Sequence, residues 1–143
     1  MATIFHANDG YILGLPHPIN VKEAFCGTNG IFDGLKPGDI WIDHSTTDFE
    51  QNKFFSEEAS KKEAFVLECP ITGGLHALRK GQMAVWVAGD KSSYEHAKPV
   101  LDASYSTVLY TGGVGTAMIP KVVSNMLCCV QVIAMGEVLM VGK

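Results

Sequence analysis

Lys121 and Asn125 are the pair in this sequence best suited to chemistry. Four residues apart in a helix, an amine and an amide stand on one face, one turn apart. An amine so placed can take or return a proton, while the amide holds the oxygen beside it. The residues around them, from about Ile119 to Val141, are apolar enough to predict a buried helix. A lysine inside such a helix is costly unless it is paired, neutralised or used. Gly112-Gly113-Val114-Gly115 precedes the helix and reads as a hinge or a tight turn leading into it. Gly113 and Gly115 also match the first two glycines of GxGxxG. Met118 stands at the third position, where glycine allows close helix–strand packing, so the phosphate-site reading is weak.

Other polar residues have plain readings on their own. Thr72-Gly73-Gly74 is a turn, and Ser45 and Thr46 are good helix N-caps. Asp43 ahead of Ser45 lacks the GxSxG elbow of a hydrolase. His6, His17, His44, His76 and His96 are scattered and read as structural or surface residues. Cys26, Cys69, Cys128 and Cys129 form no CxxC pair and have no histidine at zinc spacing, so no metal is expected. Cys128 and Cys129 read as small hydrophobes inside the last helix.

The elements that must position these groups alternate. Tyr11 to Leu15 reads as the end of a strand, and Ile19 to Phe25 as a helix closed by Gly27. Ile40 to Asp43 is β-rich. Ser45, Thr46, Thr47 and Asp48 offer N-caps for a helix through about Lys62. Strands follow at Phe65 to Leu67, Met83 to Val87 and Thr107 to Tyr110, with a helix from Tyr94 to Leu101. Such a series predicts an α/β domain with a mainly parallel sheet.

The chain has 143 residues, 47% hydrophobic and 18% charged, enough for one domain with a real core. A net charge of −4 with no basic run argues against nucleic acid. The last helix approaches the length of a membrane span, but Lys121, Ser124, Asn125, Gln131 and Glu137 interrupt it, so a soluble helix is expected and no membrane. Its apolar surface runs all the way round, so part of it needs a partner beyond this chain. Met1 to Asp9 lacks a secretory leader pattern and is not Arg-rich.

Taken together, five motifs resemble the β-hydroxyacid dehydrogenases. They are Leu15-Pro16 with Asn20, Gly27-Thr28-Asn29-Gly30-Ile31, Ile42-Asp43-His44-Ser45-Thr46, Cys69-Pro70-Ile71-Thr72-Gly73-Gly74, and Gly112 to Asn125. Their shared order and spacing, from about Gly14 onward, are more specific than any one of them. Phe49, Ala77-Leu78 and Ala117 depart from the family's pattern.

The resemblance implies oxidation of a small β-hydroxy acid, of the 3-hydroxyisobutyrate type, to its semialdehyde with NAD or NADP. Lys121 would be the general base and Asn125 would hold the substrate oxygen. Thr72, Gly73 and Gly74 would bind the substrate carboxylate, and Leu15, Pro16, Asn20 and Thr46 would touch the cofactor. The fold implied is a partial Rossmann-like dinucleotide-binding domain over residues 1–112, followed by an interdomain helix over 113–143. No strand–GxGxxG–helix unit precedes Gly14, so the chain is expected to be an internal piece of such an enzyme that binds cofactor weakly or not at all. A homo-oligomer through the last helix and an intracellular location, cytoplasmic or mitochondrial, are also expected. The competing expectation is a non-catalytic, dehydrogenase-like scaffold for oligomerisation.

Overall fold

The computed structural model describes residues 5–7 and 10–143, with side chains from Gly10 onward. The leader reading of Met1 to Asp9 lies largely outside those residues. Among the described residues seven strands form one sheet: β1 (Phe5–Ala7), β2 (Gly10–Leu13), β3 (Ile40–Asp43), β4 (Phe65–Glu68), β5 (Ile71–Thr72), β6 (Ala84–Gly89) and β7 (Thr107–Gly112). Six helices accompany them: α1 (Pro18–Cys26), α2 (Ile31–Gly34), α3 (Phe49–Ser60), α4 (Gly74–Arg79), α5 (Lys91–Ser104) and α6 (Met118–Val141).

The strand order is β1-β2-β3-β4-β6-β5, with β7 also paired to β6. The three longest ladders, β2·β3, β3·β4 and β6·β7, are parallel. The shorter β1·β2, β4·β6 and β5·β6 ladders are antiparallel. The expected α/β architecture with a mainly parallel, Rossmann-like sheet is therefore present.

Strand β3 shows how the sheet is held. Trp41 points into a core on one face with Leu13, Val21, Phe25 and Phe55. Ile40 and Ile42 point into the other, with Leu67, Val85, Val87 and Leu101. A strand buried on both faces carries a continuous apolar run rather than an alternation. The Phe25 ring stacks on Trp41 at 4.8 Å and meets Phe55 at 4.7 Å. Each phenyl fully withdrawn from water contributes about 1.5–3 kcal/mol, so this aromatic trio anchors α1 and α3 to the sheet.

Most helix ends follow local chemistry. Of the four cap candidates, Asp48 is the one used: its Oδ1 accepts from the Gln51 N–H at 2.8 Å. Gly27 ends α1 as expected. Pro120 falls in the first turn of α6, where its missing N–H breaks no bond.

Three expectations need correction. Gly74 opens the short helix α4, and Thr72 belongs to β5, so Thr72-Gly73-Gly74 is not a plain loop. Helix α6 is not buried: Met118 is its one buried residue, and the side chains beyond its first turn are largely exposed. Cys128 and Cys129 are accordingly exposed rather than packed. Nothing else in the described chain lies over that surface.

Candidate functional site

Parallel strands β2 and β3 end side by side, and their following loops are tied together. The Leu15 N–H donates to Ser45 Oγ at 2.9 Å, and the Ser45 N–H donates to Asp43 Oδ1 at 2.9 Å. The crevice at the carboxyl ends of such strands is where open α/β sheets bind ligands. Leu15 is half-buried there, Pro16 and Thr46 are exposed, and Asn20 sits in the first turn of α1. Leu15 and Thr46 are thus on tied, neighbouring loops, with Pro16 and Asn20 following from the first. An open edge of this kind suits an extended ligand such as a dinucleotide.

Helix α6 brings its polar pair to the same region. Lys121 and Asn125 line a cavity of about 410 Å³ with Thr46, and Val122, Met126, Cys129 and Val130 complete it. Lys121 is half-exposed there, not a buried amine. The burial expected from the sequence fails because the covering surface for α6 is not part of the described chain. Thr72, Gly73 and Gly74 do not line this cavity. Gly73 has φ 131°, and a Cβ on it would lie 2.7 Å from the Ala77 Cβ and 3.1 Å from the Met83 sulfur, so a glycine is required.

The residue that sequence reasoning missed is Glu68, the last of β4. It is 2% exposed. Its Oε2 accepts the Gly115 N–H at 2.6 Å, and its Oε1 accepts the Met118 N–H at 2.8 Å. The carboxylate therefore occupies the amino end of α6, where backbone donors and the helix dipole favour negative charge. This is the physical reason the glycine turn is no phosphate site: its anion is built in. Burial pushes the Glu68 carboxyl up from its ordinary value, the Gly115 and Met118 N–H groups pull it back, and neighbouring Asp43 adds to the rise. The one sequence signal was an acid closing an apolar strand, Phe65-Val66-Leu67-Glu68.

A second cluster joins the loops after β3 and β4. His44 Nδ1 lies 2.8 Å from the Cys69 carbonyl, and its Nε2 lies 3.1 Å from the Tyr105 hydroxyl. A carbonyl only accepts, so Nδ1 carries the proton and Nε2 accepts from the phenol. Burial lowers the His44 pKa and pushes Tyr105 up to about 12. The expectation that this histidine is structural agrees with the contacts.

Residues 1–112 match the family described as the NAD binding domain of 6-phosphogluconate dehydrogenase. The chain belongs to that family. Curated proteins similar to the chain include human mitochondrial 3-hydroxyisobutyrate dehydrogenase. That enzyme is 34% identical over 99% of this chain. Glyoxylate/succinic semialdehyde reductase 2 of Arabidopsis thaliana chloroplasts is 34% identical over 79%. The chain spans 42% and 32% of those two proteins' lengths. Among solved structures, 3-hydroxyisobutyrate dehydrogenase from Mycobacterium tuberculosis, determined with L-serine, superposes with a TM-score of 0.81 at 27% identity. It covers 91% of this chain and 44% of its own. The similarity begins at residue 1, ahead of Gly14, where the quoted motifs start.

Proposed function

We propose that the chain carries the cofactor-binding and proton-transfer parts of an NAD(P)-dependent β-hydroxyacid dehydrogenase. Its substrate is a small β-hydroxy acid of the 3-hydroxyisobutyrate type, oxidised to the semialdehyde. The observation that carries this reading is the shared cavity of Thr46, Lys121 and Asn125 beside the tied β2 and β3 loops. Lys121 takes the hydroxyl proton, and Asn125 holds the oxygen that becomes the carbonyl. Thr72, Gly73 and Gly74 bind the substrate carboxylate from the β5–α4 turn, whose backbone can approach closely. Leu15, Pro16, Asn20 and Thr46 contact the cofactor, and a bound nicotinamide supplies the acceptor for the hydride leaving carbon. Residues 1–112 act as the cofactor domain and 113–143 as an interdomain helix. The protein works inside the cell, in the cytoplasm or in mitochondria, and the mitochondrial relatives favour the latter.

The exposed apolar α6 favours a second reading, a dehydrogenase-like scaffold that associates through this helix. One titration separates the two. Saturable quenching of NADH fluorescence, with turnover of 3-hydroxyisobutyrate that Lys121→Ala reduces by at least about 100-fold, fits the dehydrogenase. Full turnover in Lys121→Ala refutes the assigned base. No NADH binding in a clean oligomer supports the scaffold.

A further inference from the structure

Lys121 and Asn125 can serve a reaction only if α6 is held in one rotation about its axis. Two hydrogen bonds tie the start of α6 to strand β4, and both end on Glu68. The donors, Gly115 N–H and Met118 N–H, lie three residues apart in the turn that starts the helix. They meet different oxygens of one buried carboxyl group. A helix start held at two points cannot turn without breaking one bond, and charge-assisted bonds of this kind are the stronger sort. Lys121 follows Met118 by about one turn, and Asn125 by about two. Glu68 also lies four residues before Thr72, on the chain that feeds the β5–α4 turn. One carboxylate thereby joins the two segments the proposed reaction needs.

We infer that Glu68 is a positioning residue, a clamp that orients α6 so that Lys121 and Asn125 face Thr46. The chemical part of this inference rests on the dehydrogenase reading, whereas the clamp rests on the geometry alone. Around the carboxyl, Ala117 and Met118 are buried and close the site to water. No solvent molecule is needed to replace either bond. Gln at this position keeps the shape but offers one acceptor oxygen and an amide NH2 that faces a backbone donor. Asp keeps the charge but retracts it by one methylene.

The test compares the unaltered chain with Glu68→Gln and Glu68→Asp by amide NMR and by steady-state kinetics. In Glu68→Gln the Gly115 and Met118 amide protons move upfield. Hydrogen exchange at Val122 to Asn125 accelerates about tenfold, and the Asn125 side-chain amide signals shift. The kcat falls about tenfold, while KM for the cofactor, whose contacts lie off α6, stays put. Glu68→Asp falls between the two in both readouts. Unmoved Asn125 and Lys121 signals with unchanged exchange in Glu68→Gln overturn the clamp. So does a kcat equal to that of the unaltered protein. Should the unaltered protein bind no NADH, the dehydrogenase reading fails, and the NMR arm still decides whether Glu68 orients the helix.

Discussion

At the scale of single residues, Glu68 and His44 are polar groups held in low-dielectric places. His44 shows the consequence for stability. Its Nδ1–H donates to the Cys69 carbonyl, and its Nε2 accepts from Tyr105, so the folded protein holds it neutral. Burial is the main cause of its lowered pKa, and the Cys69 bond works the other way. Unfolded, the ring titrates near its ordinary value of about 6.5. Between the lowered folded value and about 6.5 the unfolded chain therefore binds more protons than the folded one. Stability is lost as pH falls through that window and is recovered as pH rises. Urea unfolding midpoints should drop more steeply from about pH 7.5 to about pH 5 in the unaltered protein than in His44→Asn. Parallel curves would show that His44 titrates in the fold as it does in water. His44 was legible as a structural residue only in outline, because its partners, Cys69 and Tyr105, lie 25 and 61 residues away. Glu68 was less legible still, since both its partners are backbone groups 47 and 50 residues on.

At the scale of elements, short-range patterns are legible in the sequence. Strand β3, helix α1 and its Gly27 end, and the Asp48-capped α3 all follow from periodicity and capping within a few residues. Helix α4 escaped because it buries no residue and so carries no apolar face to betray it. The antiparallel sense of β6 against β4 escaped because β6 carries the same continuous apolar run as the parallel strands. The turn into α6 makes a prediction at this scale. Gly115 has φ 89°, and a Cβ there would sit 2.2 Å from the Phe49 ring. Gly113 has open space around its Cβ position and is exposed. Gly115→Ala should cost about 1–3 kcal/mol in chemical denaturation, whereas Gly113→Ala should change stability by no more than about 0.5–1 kcal/mol. Adding Phe49→Ala to Gly115→Ala removes the clash and leaves the backbone strain, so it should recover only part of the loss. Equal effects of the two single changes would mean that the left-handed turn is not needed.

At the scale of the whole molecule, α6 sets sequence against structure. An all-round apolar helix predicts burial, yet Val130 and Ile133 are 62% and 63% exposed. Hydrophobicity reports that a surface wants cover without saying where the cover comes from. By length and composition α6 could also cross a bilayer, at 24 residues or about 36 Å. Glu137 argues against that, standing among apolar neighbours where an ionised carboxylate is costly in lipid. Association between copies would cover apolar side chains on the far side of the helix and leave Glu137 in water. In aqueous buffer the chain should therefore show a mass that rises with concentration in sedimentation equilibrium. Val132→Lys with Leu139→Lys, seven residues apart on the side of the helix away from Glu137, should shift it toward the monomer and leave NADH titration as it was. Neutral phosphatidylcholine vesicles supply the opposing measurement. A chain that stays monomeric in water, or that leaves the aqueous phase for those vesicles, would show that α6 is covered by something other than a second copy.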